Sequence, residues 1–198
     1  MRKPTATRDS GFTMLEVLIS LVILVFGLLG MIGLQARAQV ATFESYQRGQ
    51  ALILVQDMAD RIATNRQAAG CYSITTNTTT GTPYLGSGYS GTPVCTAAVG
   101  TATTRALADA DLQAWNEALK GAAETAGADK VGGVIGARGC VSFDAPTNRY
   151  RVAVAWQGMA ATVAPTAGDA AATCAKDLYG ADTQRREVNV TVRIATLL

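Results

Sequence analysis

A single carboxylate stands at the start of a long apolar run near the amino terminus. Residues 17–34 are almost entirely apolar, and Glu16 immediately precedes them. About 20 apolar residues in a helix cross a bilayer, so this stretch predicts a membrane-spanning segment. A charged side chain at mid-bilayer depth costs roughly 2.5–3.5 kcal/mol on insertion scales, so Glu16 requires a partner or a function. The chain is therefore constrained to an anchored architecture, with any folded domain placed after the anchor.

The segment before the apolar run is short, basic and ends in glycine. Arg2 and Lys3 lie ahead of the run, which fits a cytoplasmic leader by the positive-inside tendency. An ordinary secretory signal peptide is one alternative, with an apolar core of about 7–15 residues followed by a small-residue cleavage site. The run here is longer than that, although residues 35–39 imitate such a site. Neither a secretory signal nor a plain single-pass anchor explains Glu16.

The junction between the leader and the apolar run carries a distinctive motif. Residues 11–19, Gly-Phe-Thr-Met-Leu-Glu-Val-Leu-Ile, resemble the processing site of class III signal peptides in the type IV pilin family. The resemblance implies that a prepilin peptidase cleaves between Gly11 and Phe12 and then methylates the new amino terminus of Phe12. It also implies that Glu16 neutralises the amino terminus of a neighbouring subunit in the filament core. The alternative is that Glu16 neutralises only its own amino terminus.

The same resemblance implies a domain plan and a set of partners. The plan is a cleaved leader at residues 1–11, a transmembrane and filament-core helix at residues 12–34, and a periplasmic globular domain at residues 35–198. The implied partners are the prepilin peptidase, other minor pilins, the major pilin and the inner-membrane pilus assembly platform. The implied location is the bacterial inner membrane and the pilus, including its tip.

Composition argues against several other classes of protein. The chain has 17 basic and 15 acidic side chains, of which the leader holds three and one, so the mature chain is formally neutral with 14 of each. A general nucleic-acid binder would show a basic surplus. The chain contains no histidine and no Cys-x-x-Cys pair, which makes a zinc site of the usual spacing unexpected. We expect no metal and no cofactor.

The four cysteines are expected to form two disulfides if the domain lies outside the cytoplasmic membrane. The sequence alone allows three pairings. We expect the nearest-neighbour pairing, which joins Cys71 to Cys95 and Cys140 to Cys174. Each bond would stabilise the fold by roughly 2–4 kcal/mol, mainly by restricting the unfolded chain.

The first long helix is predicted to run from Phe12 to about Asn65, because no proline interrupts this stretch. Its second part is amphipathic and should lie on the globular domain. Asp57 and Arg61 are spaced as an i,i+4 pair on the opposite side of the helix. The predicted buried stripe consists of Ala51, Val55, Met58 and Ile62, widened by Leu52 and Ala59.

The globular part reads as one short helix and three strands. Residues 73–104 are rich in Thr, Gly and Ser and predict a loop. Residues 109–121 predict a helix whose N-cap is Asp109 or Asp111 and whose apolar face carries Leu112, Trp115 and Leu119. Alternating patterns predict strands at residues 139–144, 149–157 and 185–196, the first two forming a hairpin, with an irregular loop at residues 160–182. On the last of these strands we expect the face with Val188, Val190, Val192 and Ile194 to be buried and the opposite face to be wet or covered by a subunit.

These elements predict an α+β fold, in which a long amino-terminal helix packs on a small antiparallel sheet with disulfide-tied loops. The pilin resemblance implies the same architecture. Within the family the chain is most similar to minor pilins of the pilus-modification type, on segments such as residues 27–31 and 150–158.

The implied function is non-catalytic: a minor pilin that primes or modifies type IV pilus assembly in a tip or initiation complex, and so supports twitching motility and adhesion. Two alternatives stay open. A type II secretion minor pseudopilin shares the same amino terminus. A tip adhesin or DNA receptor would show an aromatic or basic surface patch, to which Tyr72, Tyr84 and Tyr89 could contribute, although they could equally pack the loop. An enzyme is disfavoured, because the chain has no histidine, no nucleotide-binding glycine loop and no Gly-x-Ser-x-Gly elbow.

Overall fold

The computed structural model describes residues 11–122, 125–127, 129–130, 132–165 and 172–194. Most of the leader, residues 1–10, lies outside the described residues, as do part of the predicted loop at residues 160–182 and the end of the last predicted strand. The chain divides into two units, of which the first ends at Phe43 and the second begins at Glu44. Each unit is described by itself.

Helix α1 spans Met14–Thr64 without interruption. It begins two residues later than predicted, because Thr13 caps it: the Thr13 carbonyl and the Thr13 hydroxyl both accept from the backbone N–H of Glu16, at 3.1 and 3.3 Å. Every residue of α1 in the first unit is exposed. The first unit is thus an apolar helix whose surface no other described part of the chain covers.

In the second unit, one face of α1 is buried in the domain core. The predicted stripe is confirmed for Ala51, Val55, Met58, Ala59 and Ile62, all at most 4 % exposed. The prediction for Leu52 was wrong: its side chain is 49 % exposed. Successive helical residues are rotated by about 100°, so Leu52 is turned away from the face that Ala51 presents to the core.

After α1, a 3-10 helix at Arg66–Tyr72 leads to a long loop, and helix α2 then spans Ala102–Leu119. The predicted N-cap was wrong. The cap is Thr101, which exchanges hydrogen bonds with Thr104 in a capping box, so α2 starts seven residues before Asp109. The predicted apolar face is confirmed, since Leu112, Trp115 and Leu119 are at most 1 % exposed.

The main sheet is antiparallel with strand order β1-β4-β5-β6. The central hairpin joins β4 to β5, and in its register Val152 lies opposite Val141 on one side and opposite Val190 on the other. A separate two-stranded sheet pairs β2 with β3. The strands are β1 at Leu85–Gly86, β2 at Thr125–Ala126, β3 at Asp129–Lys130, β4 at Arg138–Asp144, β5 at Arg149–Gln157 and β6 at Arg185–Arg193.

Both faces of β5 are buried over much of its length. One face, which includes Val152, Val154 and Trp156, packs into the core shared with α1 and α2. The other face carries Ala153 and Ala155, which pack under the loop between β5 and β6, here called the carboxy-terminal loop. The other members of this second cluster are Cys140, Cys174, Ala175 and Tyr179. On β6 the predicted alternation is confirmed from Val188 onward: Val188, Val190 and Val192 pack against the core, whereas Asn189, Thr191 and Arg193 are exposed. The long helix, the small antiparallel sheet and the tied loops make this an α+β pilin-like fold, as predicted.

Two disulfides tie the loops to this framework. Cys71, at the end of the 3-10 helix, is bonded to Cys95 in the loop before α2. Cys140, on β4, is bonded to Cys174 in the carboxy-terminal loop. Each bond therefore fixes one irregular segment to a regular element.

Candidate functional site

Residues 11–13, immediately before α1, are accessible and lie outside regular structure. Gly11, Phe12 and Thr13 belong to neither a helix nor a strand, and the Phe12 side chain is 84 % exposed. A peptidase needs a peptide bond that is not held in a helical hydrogen-bond ladder. The Gly11–Phe12 bond meets that requirement, because the Thr13 cap holds the helix start two residues away.

Glu16 lies in the first turn of α1, where the helix dipole favours a negative charge. Its neighbours on the helix surface, Leu15, Ile19 and Ile23, are exposed apolar side chains. Within the described part of the chain, no cationic side chain forms an ion pair with Glu16. The start of α1 thus presents one carboxylate on a mostly apolar surface, and no cationic side chain of the described residues neutralises it.

Among the described residues, α1 is the one helix long and apolar enough to cross a membrane. None of the residues in its most apolar 18-residue stretch is buried within the described protein. Such a helix buries its side chains only in lipid or against other apolar helices.

Glu44, the first residue of the second unit, connects α1 to the segment that follows β5. Its Oε1 accepts from the backbone N–H of Met159 at 3.0 Å and from that of Ala160 at 3.4 Å. It also pairs with Nη2 of Arg186 on β6 at 3.2 Å. This carboxylate attaches the helix to β6 and to the segment after β5. This role was not predicted from the sequence.

A polar junction links α1, the 3-10 helix and α2. Arg61 pairs with Asp57, as its spacing predicted, and also with Asp111 of α2 at 2.7 Å. The Tyr72 hydroxyl donates to Asp111 at 2.5 Å and accepts from Asn65 Nδ2 at 3.1 Å. Burial, followed by the hydrogen bond to Asp111, raises the pKa of Tyr72. Asp111 therefore joins three elements and does not cap a helix.

A second polar cluster fixes the carboxy-terminal loop. The Arg185 side chain is 1 % exposed and pairs with Asp182 at 2.6 Å and with Glu187 at 2.5 Å. Its guanidinium also donates to the carbonyls of Ala172 and Cys174, at 2.7 and 3.4 Å. Burial raises the pKa of Glu187 to about 7, although Arg185 opposes that shift. The hydrogen bond from Arg185 lowers the pKa of Asp182.

This cluster was not predicted from the sequence, although the sequence contains one signal for it. Arg185 and Glu187 are two residues apart on a predicted strand, so their side chains lie on the same face with opposite charges.

Of the two alternatives for the loop tyrosines, a receptor patch or packing within the domain, the structure favours packing. Tyr72 is fully buried, at 0 % exposure, because it belongs to the core and to the junction at Asp111. Tyr84 and Tyr89 are partly buried and pack against the two core clusters. The Arg138 guanidinium lies over the Tyr84 ring and over the Tyr179 ring, at 5.4 and 4.5 Å from their centroids. Among the described residues, no group of three or more Cys, Asp or Glu side chains is placed to hold a metal ion.

Comparison with known families gives two matches. Residues 7–32 match the model of the prokaryotic N-terminal methylation motif, and residues 33–113 match the model described as type IV pilin Tt1218. No curated protein and no solved structure matches the chain. The two matched segments meet within α1, and strands β4, β5 and β6 follow them.

The methylation motif implies processing by a prepilin peptidase, and together with the apolar helix it indicates membrane anchoring and association with a pilus or pseudopilus. Pilins are structural proteins rather than enzymes. An accessible Gly11–Phe12 bond, a lone Glu16 on an uncovered apolar helix and a disulfide-tied α+β domain agree with both matches. Over residues 7–113 the chain is therefore similar to type IV pilins, through the N-terminal methylation motif and the segment that follows it.

Proposed function

We propose that this protein is a minor pilin, similar to PilV, that primes or modifies type IV pilus assembly within a tip or initiation complex. The observation that carries the proposal is the lone Glu16 on an apolar helix that nothing in the described chain covers. A helix of this kind is incomplete until other apolar helices surround it and a positive charge reaches its carboxylate.

Processing comes first in the proposed mechanism. Cleavage between Gly11 and Phe12 removes the leader, residues 1–11, and creates a positively charged amino terminus. The new amino terminus of a neighbouring subunit neutralises Glu16 in the apolar interior of the filament, where an unpaired charge is costly. That pairing sets the axial register of the two helices.

The proposed location follows from the same parts. Residues 12–34 span the inner membrane, and residues 35–198 form the domain in the periplasm. The periplasm is an oxidising compartment, which favours the bonds of Cys71 to Cys95 and of Cys140 to Cys174. Extraction into a growing pilus then places the protein at or near its tip, where it supports adhesion and twitching motility.

The second unit offers apolar side chains for neighbouring subunits. Tyr46, Leu52 and Ile53 are 61, 49 and 63 % exposed on the part of α1 that lies in this unit. Exposed apolar groups on a helix are typical of an interaction surface when they occur together. In the proposed complex these side chains contact the helices of other minor pilins and the major pilin.

The first test is processing. We expect that intact mass and amino-terminal sequencing of the membrane-extracted protein reveal loss of residues 1–11 and a methylated Phe12 only when a prepilin peptidase is co-expressed. The matched control is a chain with Glu16→Gln, which keeps the cleavage site. An intact leader in the presence of active peptidase, or a cut near Ala38, would contradict the proposal.

The second arm separates a pilus from a type II secretion pseudopilus, whose minor pseudopilins share this amino terminus. In a strain lacking the gene, we expect surface pili and twitching to be lost while secretion of type II substrates continues. The wild-type chain should restore pili, and the Glu16→Gln chain should restore few. Loss of secretion with normal pili would assign the protein to the secretion system instead.

A further inference from the structure

A polar basin lies on the outer face of the sheet, beside the hairpin that joins β4 to β5. Its volume is about 500 Å³. In the strand register, Ser142, Arg151 and Thr191 form one row across β4, β5 and β6, and Asp144 and Arg149 lie in the next row of the same face. Thr78, from the loop tied by Thr173, completes the wall. The proposed assembly function does not use this basin.

The basin carries two exposed charged groups of opposite sign, the carboxylate of Asp144 and the guanidinium of Arg149. Arg149 is exposed, and within the described part of the chain no acidic side chain forms an ion pair with it. Asp144 faces Arg149 across the strands, but its carboxylate accepts from the Thr147 hydroxyl in the hairpin turn. Arg151 is half-buried and already engaged within the protein. The Arg149 guanidinium is therefore the group that can donate to an incoming ligand.

The walls of the basin are held in place before any ligand arrives. The Thr173 hydroxyl donates to the Thr78 carbonyl at 2.7 Å, which joins the two loops at the rim. At the other end, Asn148 Nδ2 donates to the Ile194 carbonyl at 3.2 Å and ties the hairpin turn to the end of β6. The disulfide between Cys140 and Cys174 borders a small void that shares Thr78 with the basin. Preorganised walls reduce the entropy lost on binding.

The side chains of the basin select a particular ligand chemistry. A guanidinium binds oxyanions through two parallel hydrogen bonds, and serine and threonine hydroxyls with a nearby carboxylate exchange hydrogen bonds with the hydroxyls of a ligand. A volume of about 500 Å³ suits a small ligand rather than a polymer groove. A nucleic acid is a poorer fit: the one aromatic lining residue, Phe143, stacks on Tyr150 at 4.7 Å, and the mature chain has no basic surplus.

We propose that this basin binds an acidic sugar unit, in which Arg149 holds the carboxylate, phosphate or sulfate group while Ser142, Thr191 and Thr78 contact the sugar hydroxyls. Such units occur on cell-surface polysaccharides, so the site would give the domain a binding function separate from assembly. The proposed binding of an acidic sugar does not depend on which filament the protein joins.

The test is binding by the full chain in an uncharged polyoxyethylene detergent, which carries no sugar of its own. Calorimetry or ligand-observed NMR would compare galacturonate and galactose 6-phosphate with neutral galactose and with inorganic phosphate. We expect both acidic sugars to bind, each at least about tenfold more tightly than galactose, and with an affinity that falls as salt rises. Inorganic phosphate should bind more weakly than galactose 6-phosphate.

Three variants assign the binding to this basin. Arg149→Ala should weaken acidic-sugar binding by about tenfold or more, and Arg149→Lys should restore only part of it because an ammonium lacks the two-pronged geometry. The matched control is Arg66→Ala, which removes another exposed arginine that has no ion pair among the described residues. All three should unfold at the wild-type denaturant concentration, because an exposed side chain without partners contributes little to stability.

Several results would overturn the proposal. Equal binding of galactose and galacturonate would remove the role of the anion, and equal binding of inorganic phosphate and galactose 6-phosphate would remove the role of the sugar. A loss of binding in Arg66→Ala as large as in Arg149→Ala would place the site elsewhere. Tighter binding of a single-stranded oligonucleotide at the same site would replace the sugar by a nucleic acid. Pilus assembly by the Arg149→Ala chain should stay normal, so this test and the assembly test fail independently.

Discussion

The two parts of helix α1 belong to one continuous helix but differ in burial. The first part is exposed throughout, and the second part has a buried apolar face. In the first unit every residue of the helix is exposed, including large apolar side chains such as Ile23 at 65 %. In the second unit a stripe that includes Met58 and Ile62 is fully buried by the domain. One helix therefore has two kinds of surface. The folded domain covers the second part, and the exposed apolar surface of the first part fits the proposed contacts with lipid and neighbouring helices.

The largest expected effect comes from a matched pair of isoleucines. Ile62→Ala should lower the free energy of unfolding of the domain by about 2–5 kcal/mol, because it leaves a cavity in the core. Ile23→Ala should change it by no more than about 0.5 kcal/mol, because its side chain belongs to the first unit and is 65 % exposed. Tryptophan fluorescence during urea unfolding in micelles measures this, since both tryptophans, Trp115 and Trp156, lie in the second unit. Equal effects of the two changes would break the comparison.

An intermediate effect is expected from pH, and only in the second unit. Because burial raises the pKa of Glu187 to about 7, the folded state keeps a proton that the unfolded state loses near pH 4.5. The stability contributed by the protonated form is complete below about pH 4.5 and is lost as pH rises to about 7. The free energy of unfolding should therefore fall by roughly 1–3 kcal/mol between pH 5 and 7.

The control for that prediction is Glu187→Gln, which should remove most of the slope. Arg185 stays charged throughout this range, and the pKa of Asp182 is lowered, so Asp182 titrates below it. The chain has no histidine, so no imidazole adds a slope of its own. A wild-type profile that is flat, or that rises with pH, would mean that Arg185 keeps the Glu187 carboxylate ionised throughout.

The smallest expected effect tests where the buried face of α1 ends within the second unit. Leu52→Ser should change the free energy of unfolding by no more than about 0.5 kcal/mol, because this side chain is 49 % exposed. The neighbouring change Ala51→Ser should cost more, because it places a hydroxyl in a fully buried position. The same urea titration measures both. A larger loss for Leu52→Ser would show that the helix is rotated on the domain relative to the structure.

Patterns that depend on near neighbours in the chain were read correctly. The helical stripe at Val55 and Met58, the buried Trp115 and the alternating strand at Arg149–Gln157 follow from the periods of helices and strands. Where α2 begins was misjudged, because an acidic residue at Asp109 was preferred over the capping box at Thr101. The correct start could have been predicted from the sequence, because Thr101 and Thr104 have the spacing of a capping box.

Other features depend on contacts between distant segments, and no local pattern encodes them. The covering of Ala153 and Ala155 requires a loop some 20 residues further along the chain to fold back over the sheet. The attachment of Glu44 to Arg186 and the junction at Asp111 join elements far apart in sequence. In the sequence, Glu44 and Arg186 can equally be surface charges and Asp111 can equally be a helix cap. The sequence therefore does not distinguish these local roles from contacts between distant segments.

The sequence by itself determined the processing motif at Gly11 and Phe12, the apolar anchor with Glu16, and the periods that make an α+β domain, because each is a property of adjacent or regularly spaced residues. Only the tertiary structure decided which charges are buried, which sheet face the carboxy-terminal loop covers, and which hydroxyl side chains line the basin together with Arg149. The physical reason is that burial and charge pairing depend on which segments meet in space. That meeting is set by the packing of the whole domain.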